Sequence, residues 1–184
     1  MTDTEPTQLL ARIARQDQSA FTAFYSRFEK PVFRFVAAKM NDPSEAHDIC
    51  HEVFMTVWRQ ASRFEGRSAV RTWLFGIAYR KTMDHFRKNG RVSFTDQVPD
   101  VADDSADVLT CLAHAQDAEQ LHHCLGTLKP DMRMAIELAF FEDMTCGDIA
   151  SVADTAEGTV KSRIHHAKKL LLHCLGARVD RRLA

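Results

Sequence analysis

Residues Met144–Leu175, MTCGDIASVADTAEGTVKSRIHHAKKLLLHCL, decide how the rest of the chain is read. The opening has the spacing of a short helix, a tight turn follows, and the remainder has the spacing of a longer helix. In that longer helix Val160, Ile164, Ala167 and Leu171 recur every three or four residues and share one face. Lys161, Ser162, His165, His166 and Lys169 point the other way. An apolar stripe that docks the helix, backed by small polar and cationic side chains, suits insertion into the major groove of DNA. Any amphipathic surface helix shows the same division, so the remaining sequence has to discriminate.

The chain has 184 residues, room for one domain or two small ones, and twelve Phe to fill a core. It shows neither an apolar run of membrane-spanning length nor a secretory leader pattern, so membrane insertion and export are not expected and a cytoplasmic setting is. The five cysteines, Cys50, Cys111, Cys124, Cys146 and Cys174, are odd in number and never form C-x-x-C. Reduced thiols are therefore expected, with Cys50 and Cys174 acting as small buried hydrophobes. The net charge of −1 conceals an asymmetry. Residues 1–91 carry 15 Lys/Arg against 10 Asp/Glu, residues 92–120 carry seven acids and no Lys/Arg, and residues 121–184 carry nine against eight. A basic first part next to an acidic middle tells more than the total.

Before the opening stretch the pattern is helical throughout. Leu9, Leu10 and Ile13 begin one helix, and Phe21, Phe24, Tyr25 and Phe28 a second. Pro31 lacks an amide donor and predicts a kink or a fresh start there. Asp42-Pro43 with Glu45 forms a capping-box-like start for a helix running to about Ser62. One of its faces is Ala46, Cys50, Val53, Val57 and Ala61, flanked by Ile49 and Phe54; the opposite meridian holds Asp48, Glu52, Met55 and Arg59. His47 and His51 are four apart, but two ligands on one helix lack a third and fourth, and no metal site is expected.

Phe64-Glu65-Gly66-Arg67-Ser68 reads as a loop, and a helix resumes from Thr72 towards Gly90. Phe75, Tyr79, Met83 and Phe86 form its apolar face; Trp73, Arg80, Lys81, Asp84, Arg87 and Lys88 lie elsewhere around it. Cations interleaved with an aromatic suit phosphate contacts beside a stacking platform. Packing of Trp73 on the previous helix would serve the same spacing, and both readings stand. Residues 92–107, with a Pro and five Asp, form an acidic linker. Leu121, Cys124, Leu125 and Leu128 restart the helical stripe, and Lys129-Pro130 opens a helix on which Met134, Leu138 and Phe141 face inward. The sequence has no Gly-rich phosphate loop, G-x-S-x-G or H-E-x-x-H, and neither catalysis nor a cofactor is expected.

Three segments in this order resemble the extracytoplasmic-function (ECF) sigma factors, small two-domain sigma subunits of bacterial RNA polymerase. They are AHDICHEVFMTVWRQASRFEG (46–66), RTWLFGIAYRKTMDHFRK (71–88) and LGTLKPDMRMAIELAFFEDMTCGDIASVADTAEGTVKSRIHHAKKLL (125–171). The resemblance implies an all-α fold of two small helical domains. A region-2-like domain would span residues 1–91, an acidic flexible linker 92–115, and a region-4-like helix-turn-helix domain 116–184. It implies that Asp48, Glu52, Met55 and Arg59 bind the clamp helices of the polymerase β′ subunit. Phe64, Arg67, Arg71, Trp73, Arg80, Lys81, Arg87 and Lys88 would open and hold the −10 element. Thr159, Lys161, Ser162, Arg163, His165, His166 and Lys169 would read the −35 element, the second domain also touching the β flap. An anti-sigma factor and a stress or environmental response are implied as well.

The sequence departs from the family pattern at Asp154, where Gly is usual, and at Thr155-Ala156. Tyr79-Arg80 replaces a frequent Arg-Asn, and His165-His166 stand where bulky or basic residues are common. Two other readings remain at this level. A free-standing helix-turn-helix regulator would need a dimerisation element that is not apparent. A metal-dependent hydrolase would have to be built on His47, His51 and the neighbouring acids.

Overall fold

Asp42 shows how directly the local chemistry sets the architecture. Its extended backbone (φ −114°, ψ 121°) lets the carboxylate accept the Ser44 amide at 2.8 Å, and Pro43 supplies the first helical φ. Asp17 caps the preceding helix in the same way, accepting from the Ser19 and Ala20 amides at 2.9 and 3.1 Å. The structure is a computed structural model and describes residues 4–40, 42–88 and 118–183. The acidic segment, Gly90 and Cys111 lie outside the described residues.

Among the described residues there are eight α-helices and no strand. They are α1 (Thr4–Ile13), α2 (Gln18–Ala37), α3 (Pro43–Gln60), α4 (Val70–Lys88), α5 (Ala118–Gly126), α6 (Pro130–Phe141), α7 (Cys146–Ala153) and α8 (Glu157–Leu183). A 3-10 turn, Ala61–Arg63, follows α3. The chain divides into two compact units, the first holding α1–α4 and the second most of α5–α8. The all-helical class read from the sequence is the one observed.

In the first unit α2 packs on α1 and α3, and α4 on α3. Its core is aromatic: Phe24, Phe54 and Phe75 are fully buried, and Phe35 meets Phe75 edge-on at 5.2 Å. Of the kink or fresh start expected at Pro31, the fresh start does not occur, and α2 continues through it. A proline in a helix interior, through its lost amide donor and its ring clash, costs about 3 kcal/mol or more. The buried face Phe24, Phe28, Val32, Phe35 and Val36 continues across the proline and offsets that cost.

In the second unit α6 and α5 both pack on α8. Val160, Ile164, Ala167 and Leu171 are buried as the stripe predicts. Phe141 differs from expectation: it ends α6 at 39% exposure, while Met134 and Leu138 on the same helix are buried. The cysteine reading also needs correction. Cys124 on α5 and Cys174 on α8 are joined by a disulfide with Cα atoms 5.9 Å apart, so these two are not reduced thiols. Cys124 is fully buried, and the bond staples the first helix of the unit to the far half of the last. Cys50, by contrast, is the buried small hydrophobe expected: burial, and then the Glu29 carboxylate, push its thiol up to about 11.

Candidate nucleic-acid interface

Helix α3 separates its two faces cleanly. Ala46, Ile49, Cys50, Val53, Phe54 and Val57 are buried, and Asp48, Glu52, Met55 and Arg59 are all exposed. Met55 is one of few large apolar side chains left in solvent, at 37%. Glu52 is held by Lys81 of α4 at 3.1 Å, so the acidic meridian of α3 borders the cationic side of α4. His47 of α3 lies against the Phe33 ring, centroids 4.4 Å apart. Among the described residues no group of three or more His, Cys, Asp or Glu is arranged to hold a metal ion.

The loop between α3 and α4 turns at Gly66, whose φ of +70° is one that side-chain-bearing residues adopt at a cost. Phe64 before it is half-buried and meets the Trp73 ring edge-on at 5.5 Å. Trp73 therefore packs on the loop and retains partial exposure. Of the cations, Arg67 and Arg80 are exposed and Arg71 half-buried. Arg67 pairs with Glu65 at 2.6 Å, and Arg87 pairs with Asp84 one turn back. The Arg80 guanidinium folds back over Gly76, near enough to touch a β-carbon placed there. Such exposed pairs are each worth about 0.2–1 kcal/mol, so phosphate can displace the carboxylate at little cost.

Asp154 makes the turn between α7 and α8 with φ 51°, a left-handed conformation that Asp tolerates better than most side chains. The Thr155 amide closes the turn on the Ala150 carbonyl at 3.1 Å. The expected reading face of α8 is only partly presented. Lys161 and Lys169 are exposed, and Thr159, Ser162, His165 and His166 are half-buried. Lys161 pairs with Glu157 at 3.0 Å.

Two residues of that face depart from the expectation. Arg163 is buried, 5% exposed, and its guanidinium meets the Asp131 carboxylate of α6 at 3.0 Å. It braces α8 against α6. The Nε2 of His165 is sealed from solvent without a hydrogen-bond partner, so that atom cannot reach a base edge in this conformation. Sequence reasoning also missed the Arg133–Glu137 pair on α6, 2.8 Å, in which Glu137 is buried and Arg133 half-buried.

Family models for Sigma-70 region 2 and Sigma-70, region 4 match residues 24–92 and 118–171. The ECF RNA polymerase sigma factor SigK of Mycobacterium tuberculosis H37Rv is 30% identical over 171 residues, 91% of each chain. The chain belongs to the ECF sigma factors. The RNA polymerase sigma-H factor of Pseudomonas aeruginosa is 28% identical over 184 residues, covering 93% of this sigma factor and 94% of that one. CnrH, solved in complex with the cytosolic domain of CnrY, shares the fold with a TM-score of 0.68 at 23% identity, covering 94% of this chain and 98% of CnrH. The sigma factor RpoE of Bartonella quintana, solved with the anti-sigma factor NepR, gives 0.66 at 23% identity, covering 85% and 96%. Sigma factors are DNA-binding initiation factors that direct RNA polymerase to promoters, and the two units supply the helical scaffolds for that task. No described helix is long and apolar enough to cross a membrane.

Proposed function

We propose that this chain is a promoter-selecting subunit without catalytic activity of its own, acting in the cytoplasm through two DNA contacts and a polymerase contact. Residues 1–91 form the polymerase-binding and −10 domain, 92–115 the acidic linker, and 116–184 the −35 domain. The exposed meridian Asp48, Glu52, Met55 and Arg59 docks on the β′ clamp helices. Two carboxylates steer and orient on a basic coiled coil, and the Met55 side chain supplies apolar contact. Phe64 and Trp73, with Arg67, Arg71, Arg80, Lys81, Arg87 and Lys88 around them, hold the opened −10 strand by stacking and phosphate contacts. Thr159, Lys161, Ser162, His166 and Lys169 approach the −35 element. Arg163 acts from behind them as a positioning residue, and His165 contributes shape.

The observation that carries the reading is α3: one meridian wholly buried, the opposite one wholly exposed and acidic at its centre, on a helix that needs no such face for its own packing. An anti-sigma partner fits the same exposed surfaces, in keeping with the complexes in which CnrH and RpoE were solved. The test is co-purification with core RNA polymerase. Asp48→Lys with Glu52→Lys is expected to abolish it with the circular dichroism spectrum unchanged; undiminished binding contradicts the clamp assignment.

A further inference from the structure

The hydrogen bonding of one side chain on α8 sets what kind of base it can read. His166 Nδ1 lies 2.9 Å from the carbonyl oxygen of Ser162, one turn back on the same helix. A carbonyl only accepts, so the proton of that bond belongs to Nδ1. The neutral ring then carries no hydrogen on Nε2, which is left as a lone-pair acceptor. A helical side chain leans towards the N-terminus of its helix, and the N-terminal turns are those that a recognition helix presents to base edges. His166 is half-exposed on the face opposite the buried stripe. The Nε2 of the adjacent His165 is shut off from solvent and cannot serve in the same way.

We infer that His166 reads an exocyclic amino group, so that one base of the upstream promoter element is selected as amino, adenine or cytosine, against keto, guanine or thymine. In the major groove A N6 and C N4 donate, whereas G O6, G N7 and T O4 only accept. A lone-pair acceptor facing G or T meets another acceptor, and neither side is satisfied. A cationic side chain at this position would have the opposite preference, because Arg donates and pairs with guanine O6 and N7. The inference rests on the reading of α8 as the −35 recognition helix, and it adds the chemical class of one base.

The experiment uses the full-length protein with core RNA polymerase on a promoter library with a randomised upstream element, at about pH 8, above the ordinary histidine range. The wild type is expected to favour A or C over G or T about fivefold to tenfold at one position. His166→Ala flattens that position and leaves the others unchanged. His166→Arg moves its preference to G. A base profile that His166→Ala leaves intact overturns the inference, as does a wild-type keto preference at the position that the variants alter. Transcription indifferent to the whole upstream element overturns the recognition-helix reading itself, a different result from either. The ring can also be observed in the free protein without any variant: nitrogen NMR is expected to show Nδ1 protonated and Nε2 bare, and the reverse tautomer overturns the inference.

Discussion

Breaking the Cys124–Cys174 bond tests the energetic plan of the second unit. The bond closes a loop with a sequence separation of 50 residues, linking α5 to the far half of α8. In the chain-entropy description a crosslink stabilises by restricting the unfolded chain, and a loop of this length corresponds to about 4 kcal/mol at 25 °C. That is about a thousandfold in the folding equilibrium. For a domain of this size it amounts to a drop in Tm of about 15 °C or more. The chain carries its own control. Both tryptophans, Trp58 and Trp73, lie in the first unit, so their fluorescence follows that unit alone while far-UV dichroism follows the helices of both. Thermal melts of the full chain, oxidised and after thiol reduction, are expected to share one fluorescence transition and to differ in the dichroic one. Cys124→Ala should reproduce the reduced behaviour. Coincident dichroic melts in the two redox states would show that the bond does not stabilise the second unit.

Arg163→Ala leaves the Asp131 carboxylate without its guanidinium. Breaking a buried pair costs about 3–5 kcal/mol, and the low end applies because Asp131 keeps partial solvent access. The dichroic melt should fall accordingly, whereas Lys169→Ala should weaken upstream-element binding and its salt slope without moving the melt; equal effects from the two would erase the distinction between bracing and contact. Acid should destabilise the first unit through its caps. Hydrogen bonds from Ser19, Ala20 and Arg12 hold the Asp17 carboxyl well below the usual carboxylate range, and those of Ser44 hold Asp42 down. A depressed folded pKa contributes stability that is present above the unfolded value near 3.9 and lost as pH falls through the folded one. Tryptophan-monitored stability of the wild type should therefore drop below about pH 4, and less steeply in Asp17→Asn with Asp42→Asn; identical acid profiles would contradict this.

Periodicity made the helices legible because burial follows it. The stripe from Ala46 along α3 to Ala61 in the following turn and the α8 stripe from Val160 to Leu171 are buried position by position, and Asp42 caps as its neighbours predict. What was not legible depends on partners distant in the chain. Arg163 falls between Val160 and Ala167 at helical spacing, so its place on the buried face was visible in principle. A cation there made sense only with Asp131, which sits on another helix. Odd cysteine number and spacing could not pair Cys124 with Cys174, since pairing depends on how α5 lies along α8. At Pro31 the local rule counts one lost hydrogen bond and not the five buried side chains that carry α2 across it, so whether the helix continued was not legible. The roles of the exposed faces came from resemblance; their exposure came from the fold.

Whether this chain directs promoter-specific initiation is decided by run-off transcription with purified core RNA polymerase on the promoter upstream of its gene. A discrete transcript is expected that requires this protein and is lost with Asp48→Lys and Glu52→Lys or with substitution of either promoter element. A transcript of the same start and yield without the protein, or no transcript with it while polymerase binding is intact, would contradict its role as a promoter-selecting subunit.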